Sequence, residues 1–152
     1  MKPIDTIVIH CSGSSWGSAS DIRHWHVDER GWRDIGYHFV ILNGDLGQGL
    51  KLPCTDGSIE AGRHLDATAM MDAHEVGAHA LGMNDHSIGI CMIGSMESRF
   101  TDAQMLSLKV LVSELMLKFD IKLENVIGHN EILGVFKNCP CFSVKEEIRE
   151  KL

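Results

Sequence analysis

The stretch "TDAQMLSLKVLVSELMLKF", residues 101 to 119, constrains the fold more than any other part of the chain. Thr101 followed three residues later by Gln104 is a capping box, in which each side chain satisfies a backbone N–H at a helix start. Met105, Leu108, Val112, Leu115 and Phe119 then recur at spacings of three and four, which gives the helix one apolar stripe. A single stripe must be buried against something. The other apolar runs are short and rich in β-branched residues, as strands are: "DTIVIHC" (5–11), "GYHFVIL" (36–42), "GSIEAG" (57–62), "HSIGICMIG" (86–94) and "ENVIGHN" (124–130). The long helix is therefore expected to pack on a sheet.

A second helix is predicted in "SASDIRHWHVDERG", capped by Ser18 or Ser20, with Asp21 in its first turn and Gly31 at its end. Ile22 and Trp25 fall on its inner face. A third closes the chain in "SVKEEIREKL", with Ser143 as its cap. Between the strands, "NGDLGQGLKLPCTDG" is full of turn formers and reads as a surface excursion. Residues 67–82 read as a helical turn or two followed by loop. The glycines of 86–94 mark places where other backbone comes close. Strands and helices alternate, so the expected class is α/β: a single domain over residues 1–152, with a central mixed β-sheet flanked by helices.

Composition excludes several kinds of function. With 14 basic and 21 acidic residues the formal net charge is -7, and no Lys/Arg cluster offers a nucleic-acid footprint. No apolar run is long enough to span a bilayer. The start, "MKPIDTIVIHCSGSS", has no cleavage-site pattern and reads as a first strand instead of a signal peptide. Synthesis in a cytosol is expected, with any export depending on a separate pore. Five cysteines, an odd number without an export signal, argue against a disulfide framework. Cys91 lies in an apolar run and reads as an inert buried thiol. Cys54 falls in a loop without an assignable task.

Two histidines stand at chemically suggestive places. His10 ends the strand "IVIH" just before the small polar run "CSGSS", and His129 follows a short strand and a glycine in "VIGHNE". Cys139 comes ten residues later. Two imidazoles and one thiolate make a three-donor set that leaves zinc's fourth tetrahedral position open, which is the catalytic arrangement and not the structural one. Cys141 complicates the choice of thiol. Pro140 disfavours helix for the residue before it, so both cysteines are expected in extended chain with their side chains facing the same way. Spacing leaves the choice between them open.

The segments "IVIHCS", "RHWHVDERGWRDIGYHFVI", "DGSIEAGR", "GAHALGMNDHSIGICMIG", "FTDAQMLSL" and "GHNEI…FKNCPCF" resemble, in order and over nearly the whole chain, the zinc-dependent N-acetylmuramoyl-L-alanine amidases of the T-odd phage lysozyme type. These belong to the wider amidase-2 and peptidoglycan-recognition-protein family. The resemblance implies one zinc ion held by His10, His129 and Cys139, with Cys141 a neighbour. It also implies Tyr37 and Lys137 as catalytic residues. The chemistry gives them a reason: attack on an amide carbonyl builds an oxyanion and a poor amine leaving group. A phenol and an ammonium are donors that meet such charge. His79 matches a position near the substrate groove and is a candidate substrate contact, with Asn84 and Arg63 weaker candidates. His38, beside Tyr37, reads as a core histidine on the opposite face; His24, His26, His64, His74 and His86 read as surface or packing residues. The loops 43–56 and 64–75 look longer than those of phage relatives, and the segment before the first strand shorter.

The function so implied is that of a phage endolysin cleaving the amide between N-acetylmuramic acid and L-alanine of bacterial cell-wall peptidoglycan, acting as a monomer. A non-enzymatic peptidoglycan-binding domain and a cytosolic amidase that trims recycled wall fragments are the competing readings. Retention of all five residues His10, Tyr37, His129, Lys137 and Cys139 favours the enzyme, and the phage-like pattern favours the endolysin. A redox pair at Cys139 and Cys141 is the remotest reading, since nothing nearby looks like the helix N-terminus of a redox fold.

Overall fold

Parallel pairing on both sides of one strand organises the molecule. The computed structural model describes residues 1–152. A two-residue strand β1 (Lys2–Pro3) precedes β2 (Thr6–Cys11), which is followed by α1 (Ala19–Arg23), continued by a wider π-helical turn over His24–Glu29. Next come β3 (Phe39–Ile41), β4 (Ile59–Ala61), β5 (Met70–Met71) and β6 (Ser87–Met92). The long helix α2 (Asp102–Phe119), the short β7 (Val126–Gly128) and a final π-helical segment at Lys145–Arg149 complete the chain. The main sheet runs β4-β3-β6-β2-β7, with β3, β6, β2 and β7 parallel and β4 antiparallel at one edge. This is the expected mixed sheet flanked by helices. β2 and β6 are hydrogen-bonded on both edges and covered on both faces, which explains why they read as unbroken apolar runs and not as an alternation.

The two faces of the sheet have different neighbours. Ile7, Ile9, Ile88, Ile90 and Met92 pack with Leu108, Leu111, Val112, Leu115 and Phe119 of α2 in the larger core. Val40, Leu42, Cys91 and Ile93 pack with Ala19, Ile22 and Ile35 in a smaller one, against which Trp25 and Tyr37 lean. Because side chains alternate along a strand, His10 leaves the α2 side and shares the second face with Cys91, its register partner on β6. The fold thus puts a polar residue at the end of a buried strand, on the thinner side of the molecule.

The capping box of α2 is present, with Thr101 Oγ1 accepting from Gln104 N at 3.0 Å and Gln104 Oε1 accepting from Thr101 N at 3.0 Å. Gln104 does more than cap. Its fully buried amide nitrogen donates to the carbonyls of Ile41 and Ile93 at 3.1 and 2.8 Å, tying the helix start to the ends of two strands. Ser18 caps α1, accepting from Asp21 N at 3.2 Å, and Gly31 sits at φ 72° just past the end of that helical run. Ser143 Oγ accepts from Glu146 N at 3.2 Å at the last helical segment.

Three expectations are corrected. Strand 36–42 is shorter than the apolar run, and Tyr37 and His38 precede β3. Their backbone is nonetheless fixed from both sides, His38 N donating to Gly89 O and Arg63 N to Tyr37 O at 2.9 and 2.7 Å. Residues 67–82 contain no helix beyond a single turn, which Val76 N closes on Asp72 O at 3.2 Å. Met70–Met71 pair antiparallel with Lys2–Pro3, and the rest is turn. The reason lies in Glu75, whose buried carboxylate accepts from Asp66 N at 2.6 Å and Asp72 N at 2.9 Å and so holds the backbone in a loop. The third concerns residues 138–141, which form a turn and not extended chain: Cys141 N donates to Asn138 O at 2.5 Å, Cys141 lies at φ 72°, and the Cys139–Pro140 peptide is cis.

Candidate metal centre and groove

Strand register brings two donors together. Ile9 of β2 pairs with Gly128 of β7, so the next residues, His10 and His129, emerge side by side at the same end of the sheet. Their ring centroids are 4.6 Å apart, about the spacing of neighbouring strands. The third donor arrives on the chain after β7. Asn130 N donates to Cys139 O at 2.8 Å, and Cys11 N donates to Cys139 Sγ at 3.2 Å, which docks that segment on the end of β2. Nδ1 of His10 then faces Cys139 Sγ at 3.8 Å. One donor atom from each of His10, His129 and Cys139 lies within 4.8 Å of the others.

The surroundings also shift the titration of all three donors downward. Burial, then the nearby His79, His129 and Lys137, hold the His10 pKa well below that of a free imidazole. Burial and Lys137 lower that of His129. Contact with the Cys11 thiol lowers the Cys139 pKa, burial opposes this, and the Cys11 N–H lowers it further. All three shifts favour the deprotonated forms that a divalent metal requires of its ligands. Zinc fits a donor set of two ring nitrogens and one sulfur.

Behind His10 stands His79. His10 Nε2 and His79 Nδ1 are 2.9 Å apart, and His79 Nε2 faces Ser87 O at 3.4 Å. A carbonyl can only accept, so His79 carries its proton on Nε2 and accepts from His10 Nε2–H at Nδ1. That tautomer, assigned from the network, leaves the His10 Nδ1 lone pair free toward Cys139. Gly89 makes room, since a Cβ there would lie 2.6 Å from the His79 ring. Close approach at this glycine of β6 thus involves an imidazole and not backbone. Asn84 Oδ1 accepts from the backbone N of His79 and of Ala80 at 2.8 and 2.9 Å, fixing the loop that carries the ring.

A groove of about 490 Å³ opens beside His129. Its lining includes Trp32, Ala80 and Leu81 from one side, and Gly134, Val135, Phe136 and Lys137 from the other, with His79 and Asn84 also contributing. Lys137 is exposed and makes no ion pair or hydrogen bond, so its ammonium is available to the groove. Tyr37 lies with its ring centroid 5.1 Å from that of His10. Burial, followed by the neighbouring thiols of Cys91, Cys139 and Cys11, raises its pKa well above that of a free phenol, which keeps it a proton donor.

The other candidates lie elsewhere. Both thiols adjoin Cys11, but it is Cys139 that also faces His10: Cys141 Sγ is 3.5 Å from Cys11 Sγ, and Cys139 Sγ is 3.8 Å from His10 Nδ1. Arg63 is buried and spends its guanidinium on the carbonyls of Ile35, Val76 and Asp34, not on the groove. His38 is buried, donating from Nε2 to Glu75 O at 2.7 Å and accepting from Gly89 N at 3.0 Å. Cys11, which braces Cys139 through its backbone, and the apolar groove walls Leu81, Val135 and Phe136 were not singled out by sequence. A backbone donor leaves no mark on residue type, and exposed apolar residues in a loop look like any others.

A small α/β domain with two histidines and a cysteine converging at one end of a parallel sheet, open to a groove, defines the class of small single-domain hydrolase scaffolds. The model of the amidase-2 family, described as N-acetylmuramoyl-L-alanine amidase, matches residues 1–142. The endolysin of Escherichia phage T7 is 35% identical over 150 residues, covering 93% of this chain and 83% of that protein. Among solved structures, the N-acetylmuramoyl-L-alanine amidase LysC from Clostridium intestinale URNW superposes with a TM-score of 0.75 at 29% identity, over 99% of this chain and 85% of that one. Drosophila PGRP-LB does so with a TM-score of 0.68 at 28% identity, over 92% and 76%. The chain belongs to the amidase-2 family of N-acetylmuramoyl-L-alanine amidases.

Proposed function

We propose that this protein is a zinc-dependent endolysin that hydrolyses the amide between the lactyl group of N-acetylmuramic acid and L-alanine in bacterial peptidoglycan. The observation that carries this reading is the convergence of His10, His129 and Cys139 within 4.8 Å beside the groove that Lys137 lines. A purely binding relative has no use for a thiolate so placed. Family membership and the similarity to a phage endolysin support the same reading.

His10 Nδ1, a ring nitrogen of His129 and Cys139 Sγ would hold the ion. When bound, zinc supplies Lewis-acid polarisation of the scissile carbonyl and activation of the attacking water. The chain's own residues do the rest. His79 holds His10 in the tautomer that presents Nδ1, and Cys11 N–H steadies the thiolate. The groove seats the glycan-peptide strand, with Trp32, Leu81 and Phe136 giving apolar contact to sugar faces and peptide side chains. The Lys137 ammonium meets the charge that develops on the carbonyl oxygen, in a setting where a fixed donor is worth about 3 kcal/mol. The Tyr37 phenol, kept protonated, is a second donor to the developing charge or to the leaving nitrogen.

Residues 1–152 form the catalytic domain and act as a monomer. No helix is long and apolar enough to cross a membrane. The enzyme is made in the host cytoplasm and reaches the wall through a pore made by another protein. Mass spectrometry of digested wall tests the chemistry. The expected products are a free muramoyl lactyl carboxylate and a free L-alanine amine, abolished by a chelator and restored by zinc. Sedimentation with walls but no new termini would identify a binding domain instead.

A further inference from the structure

The loop 64–75 carries a second group of metal-ligating side chains that the amidase chemistry does not use. The rings of His64 and His74 lie nearly parallel, with centroids 5.4 Å apart and an interplanar angle of 21°. One donor atom from each of these two and from Glu75 falls within 4.8 Å of the others. Asp66 and Asp72 form an overlapping group with the same Glu75. None of these five residues lines the groove.

Three features separate this group from an ordinary polar loop. First, no salt bridge answers the charge. Three carboxylates converge, one of them on the fully buried Glu75, and no ion pair in the molecule involves any of the five side chains. Like charges so close repel, and a divalent cation among them removes the cost. Second, the backbone is already fixed. Arg63, just before His64, donates to Ile35 O at 2.8 Å and Asp34 O at 3.2 Å. Arg33 donates to Ala73 O at 2.7 Å, just before His74, and His38 Nε2–H donates to Glu75 O at 2.7 Å. Both ends of the loop are therefore held before any ligand binds, and little further ordering is needed to bring the imidazoles to a common ion. Third, the imidazoles are free. Neither has a hydrogen-bond partner, and both are exposed, so their nitrogens reach an incoming ion from solvent. Glu75 Oε1 and Oε2 each accept one backbone N–H, which leaves further lone pairs and orients the carboxylate.

We infer that His64, His74 and Glu75 form a second divalent-metal site, separate from the catalytic one, which clips the two ends of the 64–75 loop together. Two imidazoles and one carboxylate select a borderline transition ion such as zinc, cobalt or nickel over calcium or magnesium, which favour all-oxygen sites. The clip would act on the sheet as well. The Glu75 carbonyl is held by His38, and His38 Nδ1 accepts from Gly89 N of β6 at 3.0 Å, the glycine against which His79 packs.

Equilibrium dialysis of chelator-stripped full-length protein against zinc, followed by elemental analysis, tests this inference. Wild type is expected to retain two equivalents, His64→Ala/His74→Ala one, Cys139→Ser one, and the triple variant none. His64→Ala/His74→Ala is expected to keep its amidase rate per bound ion. In Cys139→Ser, zinc should also slow proteolytic cleavage within residues 64–75 several-fold, and calcium should not. One equivalent in wild type, or two in His64→Ala/His74→Ala, would overturn the inference. Should Cys139→Ser fold poorly, the comparison of wild type with His64→Ala/His74→Ala decides alone.

Discussion

His79 Nδ1 stands 2.9 Å from Nε2 of His10, so a candidate metal donor is braced from behind by a second buried imidazole. His79→Ala should leave His10 free to rotate and to take the wrong tautomer. We expect zinc affinity and turnover to fall about 10- to 100-fold, the usual effect of removing such a partner. His79→Gln, whose amide oxygen can accept from His10 Nε2–H, should recover part of both. Titration of zinc against a competing chelator reads the affinity. Unchanged affinity in His79→Ala, with only KM raised, would place His79 among substrate contacts instead.

The two thiols of "CPC" should behave oppositely. Cys139 faces His10 and receives a backbone N–H, whereas Cys141 faces the thiol of Cys11. Cys139→Ser is expected to lose the catalytic zinc equivalent and activity together, while Cys141→Ser keeps both. Metal content of the two purified variants is sufficient to check this.

Lys137 and Tyr37 should affect rate without affecting metal. Lys137→Ala and Tyr37→Phe are each expected to retain one catalytic zinc and lose about 100-fold or more in kcat, the typical cost of deleting a donor to a developing oxyanion. Loss of zinc in Lys137→Ala would mean that this residue shapes the centre.

Stability should fall in mild acid. Burial holds the pKa of His38 and of His26 at about 4, against 6.5 for the free side chain. The unfolded chain takes up these protons first, so the stabilisation is complete above about pH 6.5 and is lost as pH falls toward 4. For His38 the loss at pH 5 is roughly 2 kcal/mol. Urea unfolding at pH 7 and pH 5 measures the change, and an NMR titration should show the His38 ring still neutral at pH 5.

Gln104 should matter more than a polar helix residue usually does. Gln104→Leu removes the donors to two strand-end carbonyls and one half of the capping box. Ile41 O keeps the N–H of Ile93 at 3.0 Å, so it is Ile93 O that is left unpaired, and the expected loss is roughly 1–3 kcal/mol in unfolding free energy. Activity of the folded fraction should be unchanged at low temperature.

Much of this architecture is legible in the residues. The stripe of α2, its capping box and the β-branched runs dictate a helix laid on a sheet, and the stripe as read lacks Leu111 and the partly buried Met116. The residues proposed to hold zinc were reached through resemblance, since two histidines and a cysteine so far apart have no spacing rule. What makes them neighbours is the parallel register of Ile9 with Gly128, a property of pairing that no single segment encodes. The loop 67–82 misled for a related reason. Its helix-forming residues are overruled by Glu75, a side chain whose partners are set by tertiary placement and not by local propensity. The direction of Cys141 depended likewise on a left-handed residue inside a tight turn.

The placement of β2 near the start of the chain, and of its partner β7 near the end, has a consequence for biosynthesis. A ribosome must release residue 139 before positions 10, 129 and 139 can meet, so a nascent product shorter than that lacks one of the three candidate donors. Catalytic competence would then appear all at once, after residue 139 has left the ribosome, and shorter nascent fragments would be inert.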